Sequence, residues 1–353
     1  MSDLLRKAQD FLQNKLPFVI YSKPNETKIV GLFQNDASLN FTEDFTERGF
    51  ILAPFDGEKF VLIPENNAEV VVENYEKTSD SNSSEIKEEI DFSAKENFEN
   101  LVQEGIVAID AGTFQKVVLS RTEAVSIENN DAILLFQRLL SNYPTAFKYC
   151  FFHQKIGLWL GATPEQLLKV NSDKIKTVAL AGTQVFKEGE IVWENKEKEE
   201  QQFVTDFIVE NLSEFVSELQ KSDPFTFRAG NIVHIKTDIS ARLKDKKDLK
   251  KVLKILHPTP AICGLPKQEA KEFILRKEGY DREYYAGFLG ELNKDFAKNE
   301  EGNSDLFVNL RCMKLQEKTA NLFIGCGVTK DSNPEKEFFE TVNKSKTMRK
   351  ILG

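Results

Sequence analysis

Glu340, Thr341 and Lys344 follow Glu337 by three, four and seven residues near the end of the chain. On an α-helix, where successive residues turn by about 100°, all four share one face. Two carboxylates so placed suit a hard divalent cation, which takes oxygen ligands. The same spacing also makes a plain solvated face with an i,i+4 Glu340–Lys344 pair, worth about 0.2–0.5 kcal/mol. Another carboxylate, Glu200, precedes Phe203, Val204 and Phe207 by three, four and seven residues, which puts it on the apolar stripe of its helix. A charge there is costly unless it is paired or metal-bound. The charged run from Lys196 to Glu200 equally fits an exposed first turn.

Lys116 opens an apolar run that ends at Arg121, and Glu165 follows the segment Gly161 to Pro164. A lysine and a glutamate at strand ends can serve as base and acid when burial tunes them. Arg311 lies in the apolar run Phe307 to Cys312, and a buried arginine wants a carboxylate, from the protein or from a ligand. Gly325 and Gly327 close the apolar run that starts at Leu322. Glycines there leave backbone N–H groups open to an anion, or simply make a tight turn.

These residues need elements to hold them. Short apolar runs starting at Pro17, Ile29, Gly49 and Phe60 are parted by Asn, Asp, Gly and Pro and read as strands. Residues 1–75 form a β-rich N-terminal part that opens with an amphipathic helix rather than a signal peptide. Residues 76–91 are a polar loop or linker, and 92–353 form the core. Within the core, helices are predicted over 92–111, 248–255, 267–277 and 334–352. The stripe Phe203, Phe207, Leu212, Phe215, Leu219 predicts one long helix over 197–220. Three strands are predicted between 155 and 180, and others over 230–243, 307–315 and 322–328. Strands with helices between and after them, and many hairpins, indicate α+β with antiparallel sheets.

The formal net charge of −9 argues against nucleic acid or an anionic membrane as partner. An anionic substrate must then meet concentrated positive charge inside a cleft. No apolar run of about 18 residues is present, so no membrane span is predicted, and a cytoplasmic location is expected. Cys150, Cys263, Cys312 and Cys326 form no CxxC pair, which points to buried free thiols rather than zinc ligands.

Taken together, the segments 116–121, 161–168, 180–183, 257–264 and 281–290, with Arg311, Gly325 to Gly327, Glu337 to Thr341 and Lys344, resemble the chorismate-using enzymes. This family includes isochorismate and salicylate synthases and the large components of anthranilate and aminodeoxychorismate synthases. The resemblance runs from Phe92 to Leu352 and implies two antiparallel sheets packed face to face, helices outside, and a deep central cleft. It implies Glu200 and Glu340 as Mg²⁺ ligands, with Glu337 helping directly or through water. Arg311, Lys344 and the amides of Gly325 and Gly327 would hold the carboxylates of chorismate. Gly182, Thr183, Ala261 and Ile262 would line the substrate site. Lys116 would be the general base that activates water and Glu165 the general acid. His234 and His257 would play supporting or structural parts.

Within the family, Lys116 stands where the ammonia-using enzymes usually carry Gln. Ala181 stands where aminodeoxychorismate synthases carry a nucleophilic Lys. The Ala261 to Gly264 segment matches isochorismate synthases, whereas enzymes that also eliminate pyruvate tend to have Thr at position 261. The resemblance therefore ranks isochorismate synthase first, salicylate synthase second and the ammonia-using enzymes third. It implies a monomer with no amidotransferase subunit, serving menaquinone or siderophore synthesis. Gln201 replaces the His that usually follows the metal-binding Glu, and Glu199 is the alternative ligand in the glutamate-rich run.

Overall fold

The apolar runs build two large sheets, and the strand pairs within them are antiparallel. The computed structural model describes residues 2–75, 90–127, 131–186, 188–189, 191–229 and 232–353. The polar segment predicted over 76–91 lies outside them except for Ile90 and Asp91. Among the described residues the α-helices are α1 (Asp3–Gln13), α2 (Phe92–Asp110), α3 (Ala132–Asn142), α4 (Asn195–Leu212), α5 (Leu249–Leu256), α6 (Lys267–Lys277) and α7 (Pro334–Leu352). None is long and apolar enough to cross a membrane.

One sheet has nine strands, with Lys116–Ser126 between Gly264–Leu265 and Thr319–Val328. The other has ten, with Lys174–Val185 between Gln166–Asn171 and Ile232–Leu243. N-terminal strands enter both: Phe18–Ser22 pairs with Phe147–His153, and Gly49–Ala53 with Phe288–Leu292. The sheets pack through aromatic side chains, Phe147 on Phe307 at 4.5 Å between ring centres and Tyr21 on Phe50 at 5.1 Å. Such pairs add about 0.5–1.5 kcal/mol each beyond the area they bury. Leu4 and Leu5 of α1, Phe136 and Leu139 of α3, and Met348 and Ile351 of α7 cover the opposite face of the nine-stranded sheet. Two stacked antiparallel sheets with helices outside are the α+β architecture the resemblance implies.

Two elements differ from expectation. The helix predicted over 197–220 stops at Leu212, and Val216–Lys221 is a strand. There the buried Val216 pairs with Leu243, and sheet pairing outweighs the apolar stripe. The buried face of α4 carries Gln201, Val204, Thr205, Ile208 and Leu212, while Phe203 is half exposed. The strand predicted over 307–315 is two strands in different sheets, Asn303–Val308 and Cys312–Gln316. Between them Asn309 is fully buried, accepting a hydrogen bond from the Tyr149 hydroxyl (2.7 Å) and donating to the Tyr284 carbonyl (2.9 Å). The predictions also omit α3, although Asp131 signals its start by accepting hydrogen bonds from the Ile133 and Leu134 amides.

Candidate active site

Lys116 is the first residue of its strand, and the ladder beside it pairs Gly327 with Val118. A Cβ on Gly327 would lie 3.2 Å from Lys116 Cε, so the glycine leaves the lysine its path. Lys116 Nζ donates to Glu200 Oε1 at 2.5 Å, and the two side chains are only 15% and 25% exposed. The lysine therefore points into the protein. Glu200 comes from the second turn of α4, and Gly182 permits that helix to come close. Gly182 has φ +69°, and a Cβ there would meet the Glu197 backbone carbonyl oxygen at 3.2 Å. The pairing register shifts at the same point, between Ala181 and Thr183. Glu199 is exposed, so Glu200 is the member of the glutamate-rich run that faces Lys116. Of Thr183 only the backbone is described.

Helix α7 begins at Asn333, whose side chain accepts from the Lys336 amide. Its inward face meets the strand that carries Gly325 and Gly327. Lys344 Nζ donates to the Gly325 carbonyl at 2.9 Å and pairs with Glu340 at 2.6 Å. Arg311 Nη1 donates to the Lys344 carbonyl at 3.1 Å. Arg311 has φ +48°, at the crossing between the sheets rather than within a strand. Burial lowers its pKa, against the pull of Tyr285, Glu340, Tyr143 and Glu165. Glu337 faces Ser332 and Cys326, and burial raises its carboxyl, with Glu340 adding to the rise.

Glu165 is held by its backbone: its carbonyl accepts from the Val308 amide at 2.9 Å. Burial pushes its carboxyl up to about 7, against the opposing pull of Lys116, Lys344 and Arg311. A carboxylic acid poised there can give up a proton near neutral pH. Burial lowers the His234 pKa; Lys344 and Lys116 lower it further, whereas a backbone contact to Gly182 and the Glu340 charge raise it. The charges of Lys116, Lys344 and Arg311 thus reach Glu165, and those of Lys116, Lys344 and Glu340 reach His234, though these residues come from distant parts of the chain.

Among the described residues no three His, Cys, Asp or Glu side chains gather where one ion would sit. The clustering of Glu200, Glu337 and Glu340 that the resemblance implies is not formed. Like charges repel, and Glu200 takes Lys116, Glu340 takes Lys344, and Glu337 takes Ser332 and Cys326. The donor set still suits a hard cation. Glu197 Oε2 is buried without a hydrogen-bond partner, one helical turn before Glu200.

The remaining predicted residues divide. Ala261 lines a small cavity shared with Glu165. Ile262 follows it in the same loop: its side chain is in the core, its amide donates to Thr259, and its carbonyl accepts from Arg282. Gln201 is buried and donates to the hydroxyls of Thr205 (2.8 Å) and Thr237 (2.7 Å). His257 packs edge-on against Phe288, with Nε2 placed to donate to the Pro54 carbonyl at 2.9 Å. Burial holds its pKa down to about 3. Below about pH 6.5 the unfolded chain takes up a proton that folded His257 refuses. Its contribution, intact above that pH, is therefore lost as pH falls towards 3. Denaturant unfolding at pH 7 and pH 5 should show His257→Gln losing up to about 2 kcal/mol less stability between the two pH values than the parent. Equal losses in parent and variant would contradict this account.

Ammonium, guanidinium and carboxylate groups brought together from distant segments, set in two stacked antiparallel sheets, define an α+β protein with one polar interior cluster. Residues 58–353 match the chorismate binding enzyme family, and the chain belongs to it. It is 33% identical over 275 residues to the salicylate biosynthesis isochorismate synthase of Pseudomonas aeruginosa, covering 74% of this chain and 56% of that one. It is 30% identical over 267 residues to isochorismate synthase EntC of Escherichia coli, covering 72% and 67%. The chain thus spans little more than half the length of the first of these relatives. Among solved structures, MenF, the menaquinone-specific isochorismate synthase from Escherichia coli, shares the fold with a TM-score of 0.79 at 22% identity, covering 100% of this chain and 92% of that one.

Proposed function

We propose that the chain is a Mg²⁺-dependent isochorismate synthase. The observation that carries this reading is the buried Glu165 carboxyl, pushed up to about 7 yet felt by the charges of Lys116, Lys344 and Arg311, with the Lys116 ammonium turned inward onto Glu200. Lys116, in the role of general base, takes a proton from water as the water's oxygen bonds to C2 of chorismate. The ring double bonds shift, and Glu165 gives a proton to the C4 hydroxyl, which leaves as water. One water enters and one departs, so the reaction is an isomerisation. Arg311 and Lys344 bind the two carboxylates, and their fixed positions supply electrostatic preorganisation. Glu200 and Glu340, with Glu337 beside them, would hold Mg²⁺ once Glu200 and Glu340 release Lys116 and Lys344, and the ion would neutralise a substrate carboxylate. Ala261 leaves space near the acid where a larger hydroxyl-bearing residue would reach the substrate.

The test is the product formed from chorismate by the purified chain with Mg²⁺, with and without ammonia, followed by chromatography. Isochorismate alone is expected, with turnover lost on chelation and restored by Mg²⁺. Full activity after exhaustive chelation would remove the metal from the mechanism. Salicylate with pyruvate would make the chain a salicylate synthase, and an amino product that depends on ammonia would overturn the choice of water as nucleophile.

A further inference from the structure

We propose that Thr259 positions the Glu165 carboxyl through a single buried water seated between them. The inference rests on the reading of Glu165 as the general acid. Glu165, Thr177, Thr259 and Ala261 line one small cavity, whose other walls include Leu180, Val204 and Ile208. The space open to a water's centre is about 10 Å³, close to that of one molecule. Apolar cavities of this size stay dry, but one that offers two to four polar partners holds a water.

The polar partners are present and their directions are constrained. Thr259 Oγ1 is buried without a hydrogen-bond partner in the protein. The Thr177 hydroxyl already donates to the Leu167 carbonyl at 2.7 Å, so towards the cavity it can only accept. A protonated Glu165 must aim its O–H at the substrate, which leaves its other oxygen as an acceptor. One water satisfies all three groups: it accepts from Thr259 and donates to Glu165 and Thr177. The orphan hydroxyl is paired, and the acid is held with its proton towards the cleft, where Lys116, Lys344 and Arg311 also act on it.

The threonine is itself fixed. Its carbonyl accepts from the Ile262 and Cys263 amides at 3.1 and 3.0 Å. Just before it, Lys267 Nζ binds the carbonyls of Lys254, Ile255 and His257 at 3.0 to 3.1 Å. The backbone that carries the hydroxyl is therefore held independently of any ligand.

Three proteins test this: the unaltered chain, Thr259→Val, which keeps the shape without the hydroxyl, and Thr259→Ser, which restores it. A high-resolution crystal structure of the unaltered chain should show one water within hydrogen-bond distance of Thr259 and Glu165, and Thr259→Val should lack it. With Mg²⁺ and chorismate, Thr259→Val should lose about tenfold in kcat with KM little changed, and Thr259→Ser should recover to within about threefold. A dry cavity in the unaltered chain, a Thr259→Val enzyme at full kcat, or a Thr259→Ser enzyme as slow as Thr259→Val would each overturn the proposal. Glu165→Gln separates the two failures. If the Glu165→Gln enzyme keeps full turnover while the water remains, the general-acid reading has failed and the positioning role falls with it.

Discussion

Replacing Lys116 by arginine should lower kcat by about 10²–10⁴-fold while leaving chorismate affinity within roughly tenfold. Arginine keeps a cation opposite Glu200, so the pair at 2.5 Å has a replacement. A guanidinium does not deprotonate in proteins and cannot take a proton from water. The substitution therefore separates the two jobs of Lys116, pairing and proton transfer. Lys116→Ala does not, because it also strips Glu200 of its partner inside a cleft. Single-turnover kinetics would measure the chemical step, and equilibrium titration with chorismate would measure binding. A Lys116→Arg enzyme with near-normal turnover would end the general-base reading. Equal losses in affinity and turnover would place Lys116 in substrate binding instead.

Much of this site could be read from the chain because its local parts carry local signals. The i,i+4 relation of Glu340 and Lys344 left their pairing as one of two readings, and the structure has the pair at 2.6 Å. The helix predicted over 334–352 is α7, and Asn333 caps its start by accepting from the Lys336 amide. Contacts between residues distant in sequence left no such signal. Lys116 and Glu200 are 84 residues apart, and nothing in either segment states that they meet. Only the family resemblance brought them together in advance. Apolar periodicity also misled where the sheet competes with the helix. Phe215 and Leu219 continue the stripe of α4, yet Val216 goes to the ladder beside Leu243. Arg311 was the least legible residue. Its positive φ comes from a chain crossing between sheets, anchored by Asn309, and no glycine marks the place.

Beneath the cleft, Arg282 holds together the segments that carry Lys116 and Ala261, and Arg282→Met should lower stability by about 3–5 kcal/mol. Its guanidinium meets Glu278 twice, at 2.5 and 2.7 Å, with side chains 2% and 1% exposed. It also donates to the Val118 carbonyl at 2.7 Å, on the strand of Lys116, and to the Ile262 carbonyl at 3.2 Å, on the loop of Ala261. Phe55 stacks beneath it at 4.4 Å. Glu278 in turn accepts from the Ser120 amide (2.7 Å) and hydroxyl (2.9 Å). Methionine fills much of the arginine's volume, so the loss comes chiefly from leaving the Glu278 carboxylate buried without its counter-charge. That cause has a signature. Removing the second charge as well, in Arg282→Met with Glu278→Met, should recover part of the loss, because an apolar pair can replace a buried ion pair at little cost. Recovery stays partial because the Ser120 amide then loses its acceptor. Denaturant unfolding of the two single variants and the double variant measures the coupling directly. If the double variant is destabilised by the sum of the singles, the pair is not a coupled unit, and Arg282 acts through its carbonyl contacts and its packing on Phe55 alone.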